Sequence, residues 1–267
     1  MVNSEFSSNN KKWALILGGS SGLGLATAKK LAQHGYHIIV VHRDRKSSLQ
    51  GIEDSFKGII SNKINFKNYN VDALNPDKRK GMIADITQLL PAGHKIKVLV
   101  HSIAKGNLKP MQSKTERELD NQDLLLTINA MAVSLYDWTK ELINANLFSE
   151  DARIISFTSE GNVKAWPSYG AVSAAKATLE SLTRNIALEF APLGIKANCI
   201  QAGVTETTSF KMIPNSDGIK ESALKRNPNE RLTTPDDVAN VVYLLCMDEA
   251  KWITGTVIKV DGGESLR

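Results

Sequence analysis

Cysteine is scarce in this chain, aromatic residues are few, and no long hydrophobic run occurs; each shortage closes off a class of protein. The two cysteines among 267 residues, Cys199 and Cys246, stand far apart in apolar surroundings. They form neither a disulfide framework nor a metal-ligand spacing, and they read as reduced core residues of a cytoplasmic protein. No apolar stretch approaches the roughly 18–20 residues that a bilayer-crossing helix needs, so no membrane span is expected. The opening MVNSEFSSNNKK has no apolar segment of the signal-peptide kind, and residues 1–12 read as a disordered polar leader. Aromatics make up 6% of the chain and nowhere interleave with a run of Lys and Arg, so the net charge of +5 implies no nucleic-acid partner. A basic surface of this kind suits anionic small molecules and acidic protein partners. No repeat, low-complexity segment or linker divides the chain.

What is present is an alternation. Short β-rich apolar runs occur at Trp13–Leu17, His37–Val41, 64–69, 97–101, 153–157, 196–201 and Val257–Val260. Between them lie segments with apolar residues three and four apart, such as Leu179, Leu182, Ile186 and Phe190. Strand–helix alternation of this kind predicts one α/β domain over residues 13–267. Its fold is a Rossmann-type, doubly wound parallel sheet of about seven strands, with helices on both faces. Ligands of such sheets bind beyond the carboxyl ends of the strands. Residues 203–233 interrupt the rhythm with no strand, and a loop of that length reads as a lid or binding segment. It stops at Thr234-Pro-Asp-Asp237, which supplies an N-cap, a first-turn proline and an acid three residues after the cap.

The first strand runs directly into 18-GGSSGLG-24 and a helical pattern. Gly18, Gly22 and Gly24 permit a tight turn and close backbone approach, and the helix N-terminus presents N–H groups to a pyrophosphate. Ser20, Ser21 and Leu23 belong to the same turn. A Gly-rich turn alone can be only a tight connection; after the first strand of an alternating chain it predicts dinucleotide binding. The second strand ends 40-VVHRDRK-46, with His42 where an acid would bind a ribose hydroxyl and Arg43 next to it. Arg45 and Lys46 add positive charge. These cations favour the 2′-phosphate of NADPH, while a solvated charged turn and the nearby Asp44 stand against it.

The stretch 169-YGAVSAAK-176 begins a helical pattern with a tyrosine whose nearest following lysine is seven positions on. At 100° per residue, positions i+4 and i+7 lie about 40° and 20° from the tyrosine, on opposite sides of it. Lys176 starts about 10 Å along the axis, but helical side chains lean toward the N-terminus. A long lysine reaches back if the i+4 side chain is small, and that residue is Ser173.

The glycine turn, 98-VLVHSIAKG-106, 127-TINAMAV-133, 156-SFTS-159, the Y-x6-K pair, 202-AGVTET-207 and 260-VDGGESL-266 together resemble the short-chain dehydrogenase/reductase family. The Y-x6-K spacing is the mark of its divergent branch. The mixture is most similar to the NADPH-dependent enoyl-acyl-carrier-protein reductase III subtype. The resemblance covers the chain from Trp13 to the end. It implies that Tyr169 is the proton donor and that Lys176 holds the nicotinamide ribose and lowers the tyrosine pKa. Ser159 and Asn129 complete the catalytic set. Asn70 and Val71 would contact adenine; His101, Ser102, Ile103, Gly203, Val204, Thr205 and Thr207 would line the cofactor pocket. His101 has no second His or acid at ligand spacing, so no metal is expected. Ala104, Trp166, Phe210, Met212 and Ile213 would wall an acyl pocket, or else only seal the long segment against the core.

Departures keep the substrate open. The position ten residues before Tyr169 is Ser159, where many enoyl reductases have Tyr or Phe, and Ser with Asn is what 3-oxoacyl reductases use. The expected activity is NADPH-dependent reduction of an enoyl thioester on an acyl carrier protein or coenzyme A. The rivals are a carbonyl reductase and, more distantly, a non-catalytic NADP-binding regulator. The resemblance also implies a homotetramer, with part of the stripe at Leu179, Leu182, Ile186 and Phe190 covering the sheet. Lys105, Lys109 and Lys211 are candidates for a basic rim that receives an acidic acyl carrier protein.

Overall fold

Every one of the seven apolar runs becomes a strand, and all pair in parallel in the order β3-β2-β1-β4-β5-β6-β7. The strands are β1 (Lys12–Leu17), β2 (His37–His42), β3 (Phe66–Asn70), β4 (Lys95–His101), β5 (Phe148–Ser159), β6 (Ile195–Ala202) and β7 (Val257–Val260). The computed structural model describes residues 11–267. The polar leader lies outside the described residues as far as residue 10, and its last member, Lys12, already opens β1.

Near-continuous apolar strands arise because helices cover both faces of the sheet. On one face Leu15, Leu17, Ile39 and Leu99 pack with Trp138, Leu179 and Ile186. On the other, Ile16, Ile38, Val40 and Val100 pack with Leu31, Val238 and Val242. The helices are α1 (Gly22–Gln33), α2 (Leu49–Ile60), α3 (Pro76–Leu89), α4 (Asn121–Ile128), α5 (Ser134–Asn144), α6 (Gly170–Glu189), α7 (Thr208–Lys211), α8 (Ser216–Arg226) and α9 (Pro235–Cys246). In α6 the stripe is turned inward: Leu179 and Ile186 are buried in the core, with Leu182 and Phe190 packed against it. Cys199 and Cys246 are both free and buried.

Three local features place the site. β5 starts five residues before the apolar run and extends to Ser159, which carries that serine to the carboxyl edge of the sheet. A π-turn at Asn129–Val133 joins α4 to α5 and buries Ala130, Met131 and Ala132. The segment after Gly203 has no strand, as expected, but it is built from α7 and α8 and ends in the capping box of Thr234 and Asp237 that starts α9.

Candidate active site

The sheet order reverses between β1 and β4, and the carboxyl ends of β1, β4, β5 and β6 open there onto a cavity of about 240 Å³. Crevices at such reversals are where α/β sheets bind ligands. Its floor is the glycine turn. Gly18 has φ +82°, and a Cβ there would stand 2.4 Å from the Ser102 carbonyl oxygen. A Cβ on Gly24 would stand 2.2 Å from the Gly18 carbonyl oxygen, so Gly24 packs the turn and does not line the cavity. The N-terminus of α1 is uncapped, as those of α2 and α6 also are, and it is the one that follows the glycine turn. Asn75 caps α3 and capping boxes close α4 and α9, but α1 has no side-chain cap and no acid in its first turn. Its N–H groups and positive dipole end remain available to an anion, as a dinucleotide pyrophosphate requires.

Tyr169 stands at the head of α6, 7% exposed, with its hydroxyl 3.4 Å from the Ser159 Oγ. Burial pushes its pKa up, and the Ser159 hydrogen bond pulls only partly against this. The Trp166 ring meets the Tyr169 ring edge-on at 5.3 Å. Lys176 reaches back along α6 as the helix geometry predicts, and its Nζ donates to the Phe157 carbonyl at 2.6 Å. Burial brings the Lys176 pKa down to about 8, opposed by Cys199 and Glu180. The resemblance implies a lysine that lowers the tyrosine pKa; here Tyr169 is raised, and the lysine is turned to the end of β5. Ser173 is small enough to clear the path, and its hydroxyl also donates to the Gly161 carbonyl.

His101 lines the cavity floor and is 2% exposed. Ser134 Oγ donates to the Ala130 carbonyl at 2.8 Å, so His101 Nε2, 2.7 Å from that oxygen, must donate to it. Burial, helped by the Lys176 charge, lowers the His101 pKa to about 3, so the imidazole is neutral and holds β4 to α5. Among the described residues no cluster of His, Cys, Asp and Glu could hold a metal ion.

The cavity brings together Gly18, Ser21, Gly22, Leu23, His101, Ser102, Ile103, Ser159, Tyr169, Lys176, Gly203, Val204, Thr205 and Thr207, with Ala104, Trp166, Phe210 and Ile213 on the substrate side. Ser20 lies in the turn but off the cavity wall. His42, Arg43, Asn70 and Val71 form a second group at the ends of β2 and β3. There the Asn70 side chain accepts from Asp44 N at 2.9 Å, and Val71 N donates to the His42 carbonyl. His42 is buried with Nδ1 2.8 Å from Asp44, while Arg43 is exposed and paired with Asp72 at 2.9 Å.

Two of the expected site residues lie off the cavity wall. Asn129 is exposed and absent from the cavity wall, because the π-turn it opens directs Ala130, Met131 and Ala132 inward instead; Met131 is the residue that enters the cavity. Met212 is 71% exposed at the end of α7 and is not part of the cavity wall that Phe210 and Ile213 line. The basic rim also shrinks, since Lys109 is taken up by Asp123 at 2.6 Å.

Sequence reasoning missed an ionic cluster on the cavity wall. Glu160, Asp261 and Glu264 line it, and Arg226 at the end of α8 pairs with both glutamates. Nothing in the spacing of residues 160, 226 and 264 links them; only the adjacency of Glu160 to Ser159 was a hint.

The comparisons with known proteins agree with this geometry. A family model described as Enoyl-(Acyl carrier protein) reductase matches residues 18–265. The chain belongs to this family of short-chain dehydrogenases/reductases. An uncharacterized oxidoreductase of Bacillus subtilis, YjdA, is 29% identical over 96% of the chain and 98% of its own length. The 7alpha-hydroxysteroid dehydrogenase of Paraclostridium sordellii is 28% identical over 96% of the chain and 92% of its length. Among solved structures, the enoyl-[acyl-carrier-protein] reductase (NADH) of Aquifex aeolicus superposes with a TM-score of 0.82 at 24% identity, covering 96% of this chain and 97% of that one. Actinorhodin polyketide ketoreductase, solved with NADPH, superposes at 0.81 with 21% identity, covering 96% and 98%. The protein is thus an oxidoreductase of the short-chain family. Among the described residues no helix is long and apolar enough to cross a membrane.

Proposed function

We propose that the protein reduces the trans-2 double bond of an enoyl thioester with NADPH. The observation that carries this reading is the seven-residue Tyr169–Lys176 pair, with Lys176 reaching past Ser173 to the end of β5. That arrangement marks the enoyl-reductase branch, and the family model supports the same branch. A bound NADPH would supply the hydride to the β-carbon, and the proton that ends on the α-carbon would come through the Tyr169 hydroxyl and solvent. The residues do the rest: the glycine turn and the free N–H groups of α1 receive the pyrophosphate, and Arg43 receives the 2′-phosphate. Lys176 holds the ribose hydroxyls and contributes positive charge. Tyr169, kept protonated by burial, donates to the thioester oxygen as negative charge develops there, where a preorganised donor contributes most. Trp166, Phe210 and Ile213 seat the acyl chain, and Lys105 and Lys211 offer positive charge to an acidic acyl carrier protein. The working assembly on this reading is a homotetramer, checked by light scattering at micromolar concentration.

A second reading rests on the 3.4 Å separation of Ser159 Oγ and Tyr169 OH, since two hydroxyls so placed can both donate to one ketone oxygen. This is the arrangement a 3-oxoacyl reductase needs. The deciding assay is NADPH consumption with crotonyl against acetoacetyl thioester. Crotonyl thioester is expected to react at least ten times faster, about 1.4 kcal/mol in the barrier. A faster reaction with the oxo substrate reverses the assignment.

A further inference from the structure

Helix α8 has little apolar reason to stay against the body of the protein. Ala223 is the one buried residue that its eleven positions contribute. Its last residue is tied down by charge instead. Arg226 Nη1 lies 3.0 Å from Glu160 Oε2, and Nη2 lies 2.9 Å from Glu264 Oε1. Nη1 also donates to the Glu264 carbonyl at 3.3 Å. The side chains of Glu160 and Glu264 are 11% and 4% exposed, so both carboxylates are nearly out of water. Each touches a different part of the site. Glu160 follows Ser159 at the end of β5 and is also held by Lys164 at 2.5 Å. Glu264 Oε2 accepts from Val204 N at 3.0 Å, at the base of the long segment.

We infer that Arg226 is a positioning residue that fastens the 203–233 segment over the cavity, in register with Ser159 and Tyr169, by bridging Glu160 and Glu264. One planar guanidinium serves two carboxylates on separate elements, which the point charge of a lysine cannot do with the same geometry. Without it two nearly buried carboxylates face each other with Lys164 as the cation left beside Glu160, and this end of the segment is held by the neutral bonds of Asn227 and Asn229 to the Asp261 and Gly262 carbonyls, which do not offset that repulsion. Phe210, Ile213 and Ile219 would move with the segment, and the apolar wall of the substrate side would be lost. Arg226 touches neither Ser159 nor Tyr169, so its effect falls on substrate binding more than on the chemical step.

The test compares the full-length wild type with Arg226→Met and Arg226→Lys. Amide hydrogen exchange is expected to quicken at least tenfold over residues 204–227 in both variants and to stay unchanged in β4, β5 and β6. With whichever thioester the wild type reduces, KM should rise at least fivefold while kcat falls less than threefold. Should Arg226→Met fail to fold, Arg226→Lys carries both readouts. Unchanged exchange over 204–227, an increase spread equally through the sheet, or an unchanged KM would each overturn the proposal. The exchange measurement needs no substrate, so it decides the clasp even if the enoyl thioester assignment fails.

Discussion

Ser173 donates a hydrogen bond to the Gly161 carbonyl, and Gly161 is the backbone against which the Tyr169 ring lies. A Cβ on Gly161 would stand 2.4 Å from Tyr169 Cε1 and 3.0 Å from Trp166 Cζ3. Ser173 therefore does two things: it is short enough to let Lys176 pass, and it fixes the seat of the Tyr169 ring. Gly161→Ala is expected to displace the ring and lower kcat/KM at least tenfold. Ser173→Ala keeps the lysine's path open and removes one hydrogen bond, a loss of about 1 kcal/mol, or a few-fold in rate. Ser173→Leu blocks the path and should cost more than a hundredfold. Steady-state kinetics of the three variants check this; a Leu variant as active as the Ala variant contradicts the geometry.

The pH profile should carry the signature of Lys176. Burial brings its pKa down to about 8, whereas Tyr169 is raised above its ordinary value of 10.0. On the proposed mechanism activity needs the lysine charged and the tyrosine protonated, so the lysine is the first to fail as pH rises. Values of kcat/KM, which report the free enzyme, are expected to fall through an apparent pKa of about 8. An alkaline limb at 10 or above would assign the loss to the tyrosine instead.

Lys176 should also cost stability. Its folded pKa of about 8 lies below the ordinary 10.5, so the unfolded chain binds the proton more tightly. Stability then rises with pH between those values, and below pH 8 the full cost of burying the charge is present. At about 1.4 kcal/mol per pKa unit the cost is on the order of 3 kcal/mol, offset by about 2 kcal/mol for the bond to the Phe157 carbonyl. Lys176→Met is expected to be inactive yet no less stable at pH 7, with Tm unchanged or about 3 °C higher. The advantage should fade as pH approaches 10.5. Thermal denaturation at pH 7 and pH 10 measures it, and a large fall in Tm at pH 7 would refute it.

Arg43 and Asp72 are paired at 2.9 Å, and on the proposed reading this pair sets the choice of cofactor. Arg43→Ala should weaken NADPH at least ten times more than NADH, because the 2′-phosphate is present in NADPH alone. Asp72→Asn releases the guanidinium but can still accept from Leu74 N, as Asp72 Oδ1 does at 3.0 Å. It should tighten NADPH and leave NADH unchanged. Fluorescence titration of both cofactors decides, and equal losses for the two in Arg43→Ala would leave the arginine a structural one.

The local order of this protein is written in its sequence. Strand–helix alternation, the glycine turn after β1, the capping box at Thr234 and the reach of Lys176 from i+7 all follow from short-range periodicity and residue size, and each stands where the sequence places it. What needed the tertiary structure involves partners far apart or a break in periodicity. The π-turn at Asn129–Val133 rotates Asn129 outward, and a uniform helical period cannot foresee an added residue in one turn. Arg226 meets Glu160 and Glu264 across 66 and 38 residues, since helix α8 folds back over the ends of β5 and the C-terminal turn. The sequence by itself determined the sheet, the glycine turn and the Tyr169–Lys176 pair, because neighbours along the chain impose them. The tertiary structure decided which side chains face the cavity and which ions hold the long segment over it, because burial and long-range charge pairing exist only once the chain has closed.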